Sequence, residues 1–106
     1  MDLLTRREEI ILLSVWRLKE EAYGMEIRKH VSQATGKKWL FGSIYTPLEK
    51  LLEKGYLISE KGDPTPERGG RAKVYFMLTK DGMNALLNLQ RVYEFLWKDL
   101  PVLEAK

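Results

Sequence analysis

Three helical segments, two strand-like runs around a basic, turn-rich loop, and a last helix bearing a heptad of large apolar residues follow one another along the 106 residues. That order predicts an α+β, mostly helical fold. Residues 1–78 read as a winged helix-turn-helix and residues 79–106 as a C-terminal dimerisation helix.

The first helix starts at Thr5, where Thr5 and Glu8 form an S/T-x-x-E capping box, and it ends near Glu21. Ile10, Ile11, Leu12, Leu13, Val15, Trp16 and Leu18 place apolar groups on nearly every side, so burial on more than one face is expected. Ala22-Tyr23-Gly24 is a break, followed by a second helix to Ala34 with Met25, Ile27 and Val31 as inward positions. Thr35-Gly36 ends it, glycine being suited to a left-handed cap. Lys37 to Phe41 is a link to the third helix. Ser43 can cap that helix, which places Pro47 inside it, or Thr46 can cap with Pro47 at the first helical position. The longer version is preferred because Ile44, Leu48, Leu51 and Leu52 then form one inward stripe, ended by Gly55.

Tyr56 to Glu60 reads as a strand, Lys61 to Gly70 as a loop rich in glycine and proline, and Ala72 to Leu78 as a second strand. In the second strand Val74, Phe76 and Leu78 alternate with Lys73, Tyr75 and Met77, and the two runs make an antiparallel hairpin with a long tip. Thr79 caps a final helix that reaches Leu100 and stops at Pro101.

Composition narrows the function. Eighteen Lys and Arg against 15 Asp and Glu give a net charge of +3, which permits a nucleic-acid partner without requiring one. With no cysteine, disulfides, thiolate catalysis and Cys-based zinc sites are excluded. The single histidine, His30, excludes a two-His metal site and is expected on a solvated helix face. Asp63, Glu67 and Asp81 have no partner pattern for acid–base work, and Gly69-Gly70 lacks phosphate-loop spacing. No enzyme activity and no cofactor are expected. The acidic N-terminal residues Asp2, Glu8 and Glu9 argue against a signal peptide, and no stretch approaches the roughly 20 apolar residues of a membrane span. A cytoplasmic location with no membrane partner is the expectation.

Three constellations carry the functional reading. Lys37 and Lys38 precede the third helix, Ser43 stands at its start, and Tyr45, Thr46, Glu49 and Lys50 should face outward. Hydroxyls and lysines there suit phosphates, and Tyr45 or Thr46 can reach base edges or a thymine methyl. At the hairpin tip Arg68, Arg71 and Lys73 surround the Gly69-Gly70 pair, an arrangement suited to phosphates and narrow grooves. In the last helix Leu86, Leu89, Tyr93, Leu96, Leu100 and Leu103 recur at spacings of 3 and 4, the a/d seam of a helix pair. Ala85, Leu87, Val92, Phe95 and Trp97 are apolar and lie off that seam, so one stripe can pack internally while the other meets a second copy. The same fold can also present its third helix to a protein, as a winged-helix protein–protein interaction module.

The segment from Gly42 to Leu57, with its Ser43-Ile44-Tyr45-Thr46-Pro47 start, resembles the recognition-helix segment of PadR-family transcriptional regulators. Arg68 to Gly82 resembles their wing and the strand leading to the last helix, and Tyr23-Gly24-Met25-Glu26-Ile27 their second-helix opening. The resemblance implies a repressor that binds double-stranded operator DNA as a homodimer. It implies DNA contacts at Ser43, Tyr45, Thr46, Lys50, Arg68, Arg71 and Lys73, and it accommodates Pro47. A single C-terminal helix resembles the short subfamily, which dimerises through that helix. Some short members bind flat aromatic ligands between the dimer halves using a tryptophan, so a small aromatic effector is allowed here. The three tryptophans of this chain nonetheless have core explanations.

Overall fold

The computed structural model describes residues 2–64 and 72–100. Arg68 and Arg71 of the expected wing tip, and Leu103 of the heptad, lie outside the described residues. The element order is α1 (Arg6–Leu18), a short 3-10 turn (Lys19–Glu21), α2 (Gly24–Thr35), α3 (Phe41–Glu53), β1 (Leu57–Pro64), β2 (Ala72–Leu78) and α4 (Lys80–Trp97). This is the winged-helix arrangement that the sequence predicts.

The start of α1 forms as its capping box dictates. The Glu8 amide donates to the Thr5 hydroxyl at 3.1 Å and the Thr5 amide donates to the Glu8 carboxylate at 2.8 Å. Ile11, Leu12 and Val15 are buried, whereas Leu13 and Trp16 are exposed. Burial of α1 is therefore confined to one face, and its second apolar face is open. On α2, Ile27 and Val31 are buried but Met25 is exposed. Ile27 and Val31 are four apart and share a face, while Met25 lies about 200° round the helix from Ile27. Gly36 closes α2 at φ +70°, donating to the Ser32 carbonyl at 2.9 Å.

Helix α3 begins earlier than either start read from the sequence. Leu40 occupies the cap position, and no side chain there bonds the free amides. Pro47 is inside the helix, where it removes one i to i−4 bond. The inward stripe compensates: Ile44, Leu48 and Leu51 are fully or almost fully buried, with Leu52 packed against them.

β1 and β2 are antiparallel, pairing Leu57 with Leu78, Ser59 with Phe76 and Lys61 with Val74. β1 continues to Pro64 rather than stopping at Glu60, because the ladder persists through a register shift between Lys61 and Pro64. Only Phe76 on β2 is fully buried, and Val74 is exposed. The Ala22–Gly24 break has a structural task as well. The Phe76 amide donates to the Ala22 carbonyl at 2.8 Å and Tyr23 bridges Tyr75, so the break lies along the free edge of β2.

Thr79 caps α4, accepting from the Gly82 amide at 3.0 Å and donating to the Gly55 carbonyl at 2.6 Å. Ala85, Leu86 and Leu89 belong to the common core and Tyr93 packs against it. The first half of α4 thus packs into the same core as residues 1–78, as one stripe of this helix was expected to do. The helix ends at Trp97, short of Leu100, and Phe95, Leu96, Trp97 and Leu100 are exposed. Of the tryptophans only Trp39 packs on the core, while Trp16 and Trp97 are exposed, against the expectation of core positions. His30 is half-buried, not solvated, because its Nδ1 bonds the buried Ser14 hydroxyl at 2.8 Å and ties α2 to α1. Among the described residues no helix is long and apolar enough to cross a membrane.

Candidate nucleic-acid interface

The outward ridge of α3 is built by the same periodicity that buries Ile44, Leu48 and Leu51. Thr46, Glu49 and Lys50 fall on the opposite side, Tyr45 borders the stripe, and all four are exposed. A hollow runs along each flank of this ridge. On the α1 side, a cleft of about 470 Å³ is lined by Ser43, Thr46 and Lys50 of α3 together with Arg7 and Lys54. Around the start of α3, a groove of about 540 Å³ gathers Arg6, Arg7, Lys37, Lys38 and Ser43. On the hairpin side, a hollow of about 300 Å³ brings Tyr45 and Glu49 next to Lys73, Tyr23 and Phe41.

Every described residue expected to touch DNA lines one of these three hollows. Ser43 joins the first two, while Tyr45 and Lys73 share the third. Cations therefore flank both sides of an exposed helix whose first amides are not capped by a side chain. A polyanion laid along α3 meets hydroxyls and lysines on one flank and the base of the wing on the other.

Sequence reading missed several contributors. Arg6 and Arg7 were legible only as part of a helix start, because nothing local says that the beginning of α1 abuts α3. Arg28 was an intervening polar residue of α2. Its Nε donates to the Trp39 carbonyl at 2.6 Å, and its guanidinium lies 5.5 Å from the Phe41 ring. Trp39 is fixed further, since its indole Nε1 donates to the Thr35 hydroxyl at 2.8 Å and Arg7 lies 5.4 Å from its ring. The α2–α3 turn is thereby clamped, which orients the first turn of α3. On the other flank Lys73 Nζ sits 4.3 Å from the Tyr23 ring, which packs edge-on against Tyr75. Gly24 is required where it stands. A Cβ there would collide with the Tyr45 phenol oxygen and lie 2.8 Å from Cζ, so glycine lets that ring rest on the start of α2.

The α1-side cleft also contains an ion pair. Lys54 Nζ donates to Glu8 at 2.7 Å, tying the end of α3 to the start of α1. Burial pushes the Glu8 carboxyl upward, but the Lys54 ammonium and the Thr5 amide and hydroxyl outweigh it and hold the pKa below its ordinary value. The hydrogen bond to Glu8 raises Lys54 in turn. A depressed carboxylate contributes stability that is complete above its unfolded value of about 4.3 and is lost as pH falls through the folded value. A raised ammonium contributes stability that is complete below about 10.4 and is lost as pH rises through the folded value. Urea unfolding between pH 7 and pH 2 should therefore reveal an acid-labile component in the wild type that Glu8→Gln lacks. Glu8→Ala should cost about 1–3 kcal/mol at pH 7, because the Thr5 amide and the Lys54 ammonium lose their acceptor. Identical acid limbs for wild type and Glu8→Gln would dismiss the pair as a stabilising element.

A three-helix unit with an antiparallel wing and an exposed, cation-flanked third helix defines the winged-helix class of DNA-binding proteins. The transcriptional regulator PadR-like family matches residues 12–88, and the chain belongs to that family. It is a DNA-binding transcription regulator and not an enzyme. Solved structures share the fold. A transcriptional regulator from Clostridium thermocellum superposes with a TM-score of 0.68 at 23% identity, over 86% of this chain and 85% of its own. A PadR family transcription regulator from Clostridium difficile R20291 is 26% identical with a TM-score of 0.62, over 84% of this chain and 91% of its own. RosR of H. salinarum gives a TM-score of 0.66 at 23% identity, over 92% of this chain and 81% of its own. No curated protein sequence matches the chain.

Proposed function

We propose that the chain is a sequence-specific repressor that binds operator DNA as a homodimer. The observation that carries this reading is the exposed ridge of α3 with cations along both flanks. Ser43, Tyr45 and Thr46 enter the major groove or meet its edges, Lys37, Lys38 and Lys50 hold one phosphate strand, and Lys73 with Arg68 and Arg71 holds the other. Occupying a promoter in this way blocks transcription without any further surface.

The homodimer reading rests on the exposed end of α4. Leu86, Leu89 and Tyr93 of the heptad are engaged in the chain's own core, so the face offered to a second copy consists of Leu96 and Leu100 with Phe95 and Trp97. Nearby, Leu13 and Trp16 of α1 and Met83, Leu87 and Tyr93 of α4 line an open apolar groove of about 370 Å³. Its size and aromatic walls suit a small aromatic effector, whose binding would alter the spacing of the two α3 helices.

Affinity for DNA upstream of the chain's own gene, measured over a range of salt, tests the reading. Log K should fall linearly with log salt, and Lys50→Ala should reduce the slope by about 0.9, the share of one phosphate contact. Salt-independent binding, or a Lys50→Ala slope equal to that of the wild type, would favour a protein-binding role for α3.

A further inference from the structure

We infer that the ring pair Phe41–Tyr45, with Met25 beside it, reads thymine methyl groups and so sets part of the operator sequence. The inference rests on the DNA-binding reading above.

Phe41 is the first residue of α3 and is 47% exposed, although it is large and apolar. Tyr45 lies one turn further on, and the two rings stack in parallel, with centroids 5.0 Å apart and 2° between planes. Met25 and Leu40 are also exposed, and Met25, Phe41 and Tyr45 line the same hollow beside Lys73. None of these side chains belongs to the buried core, which α3 meets through Ile44, Leu48 and Leu51. An exposed apolar cluster is thus placed beside the outward ridge of α3.

The surroundings identify what covers it. Arg28 stands 5.5 Å from the Phe41 ring, Lys73 borders the same hollow with Glu49 as its one carboxylate among the described residues, and Lys37 and Lys38 line the groove around the start of α3. A cluster rimmed by cations fits a polyanion that carries isolated apolar points. In a DNA major groove the edges of all bases present donors and acceptors, and the C5-methyl of thymine is the one apolar group. Phe41 can neither donate nor accept at a base edge, so in the major groove it reads sequence through methyl contact. The pair is also held in advance, because Gly24 leaves room for the Tyr45 phenol and Tyr45 stacks on Phe41. Little freedom is then lost on contact.

The test uses the full chain and the DNA it selects most tightly from a random pool. That DNA is compared with a copy carrying deoxyuridine for thymine, which removes the methyl and leaves every hydrogen-bonding edge unchanged. The wild type should bind the deoxyuridine copy about fourfold more weakly for each methyl contacted, the factor associated with one buried hydrocarbon carbon. Phe41→Ala should lose affinity for the thymine form and bring the two forms together. Lys50→Ala should weaken both forms equally and preserve their ratio. Three results overturn the inference while leaving the DNA reading intact: a selected site without thymine, equal salt-sensitive binding of both forms by the wild type, or an unchanged ratio in Phe41→Ala with native circular dichroism. Absence of salt-sensitive binding to any DNA overturns the DNA reading itself and the inference with it.

Discussion

Leu96→Asp combined with Trp97→Asp should give a folded monomer with operator affinity lowered by about 10²–10⁴-fold. Both residues sit on the last turn of α4 and are 66% and 65% exposed, so an aspartate at either position buries no charge within the chain. The cost to the folded monomer should stay below about 1 kcal/mol per site. Across a dimer seam the same substitutions set carboxylates against each other in an apolar contact, which association does not tolerate. A monomer holds one half-site only and loses the effective concentration that links two modules, which accounts for the range given. Sedimentation of the variant at micromolar concentration checks the first step and DNA titration the second. An intact dimer would move the interface elsewhere on the molecule.

Leu89→Asp should behave quite differently, although it lies two heptad positions earlier on the same seam. Leu89 is 2% exposed and packs with Ala85, Leu86 and the core of the winged unit. A carboxylate there has no partner, and the loss should exceed about 4 kcal/mol, a large part of the stability of a domain this size. Thermal unfolding followed by circular dichroism should find the variant largely unfolded at 25 °C. A variant that folds normally and is merely monomeric would put Leu89 in the dimer seam after all.

The contrast between these two positions marks how far the sequence could be read. A 3–4 spacing identifies one face of a helix, but it does not say whether that face meets the same chain or another. Along α4 it does the first as far as Tyr93, and beyond that point the chain has no more core to offer. Capping signals were read well where they are local, as at Thr5, Gly36 and Thr79. They failed for α3, because its first turn is held by Arg28 and Trp39 from outside the helix and not by a capping side chain. The outward ridge Tyr45, Thr46 and Lys50 followed directly from periodicity. The flanking cations Arg6, Arg7 and Lys54 did not, since their relation to α3 is purely tertiary. Phe41 escaped because a large apolar residue in a link ordinarily reads as core.

In the proposed complex two copies of α3 enter successive major grooves of one DNA site. Hydroxyl-radical footprinting of the full chain on its selected DNA tests this most directly. Two protected blocks related by a dyad are expected, their centres one helical turn, about 34–36 Å, or a multiple of it apart. A single protected block without two-fold symmetry, at protein concentrations that saturate the DNA, would contradict it.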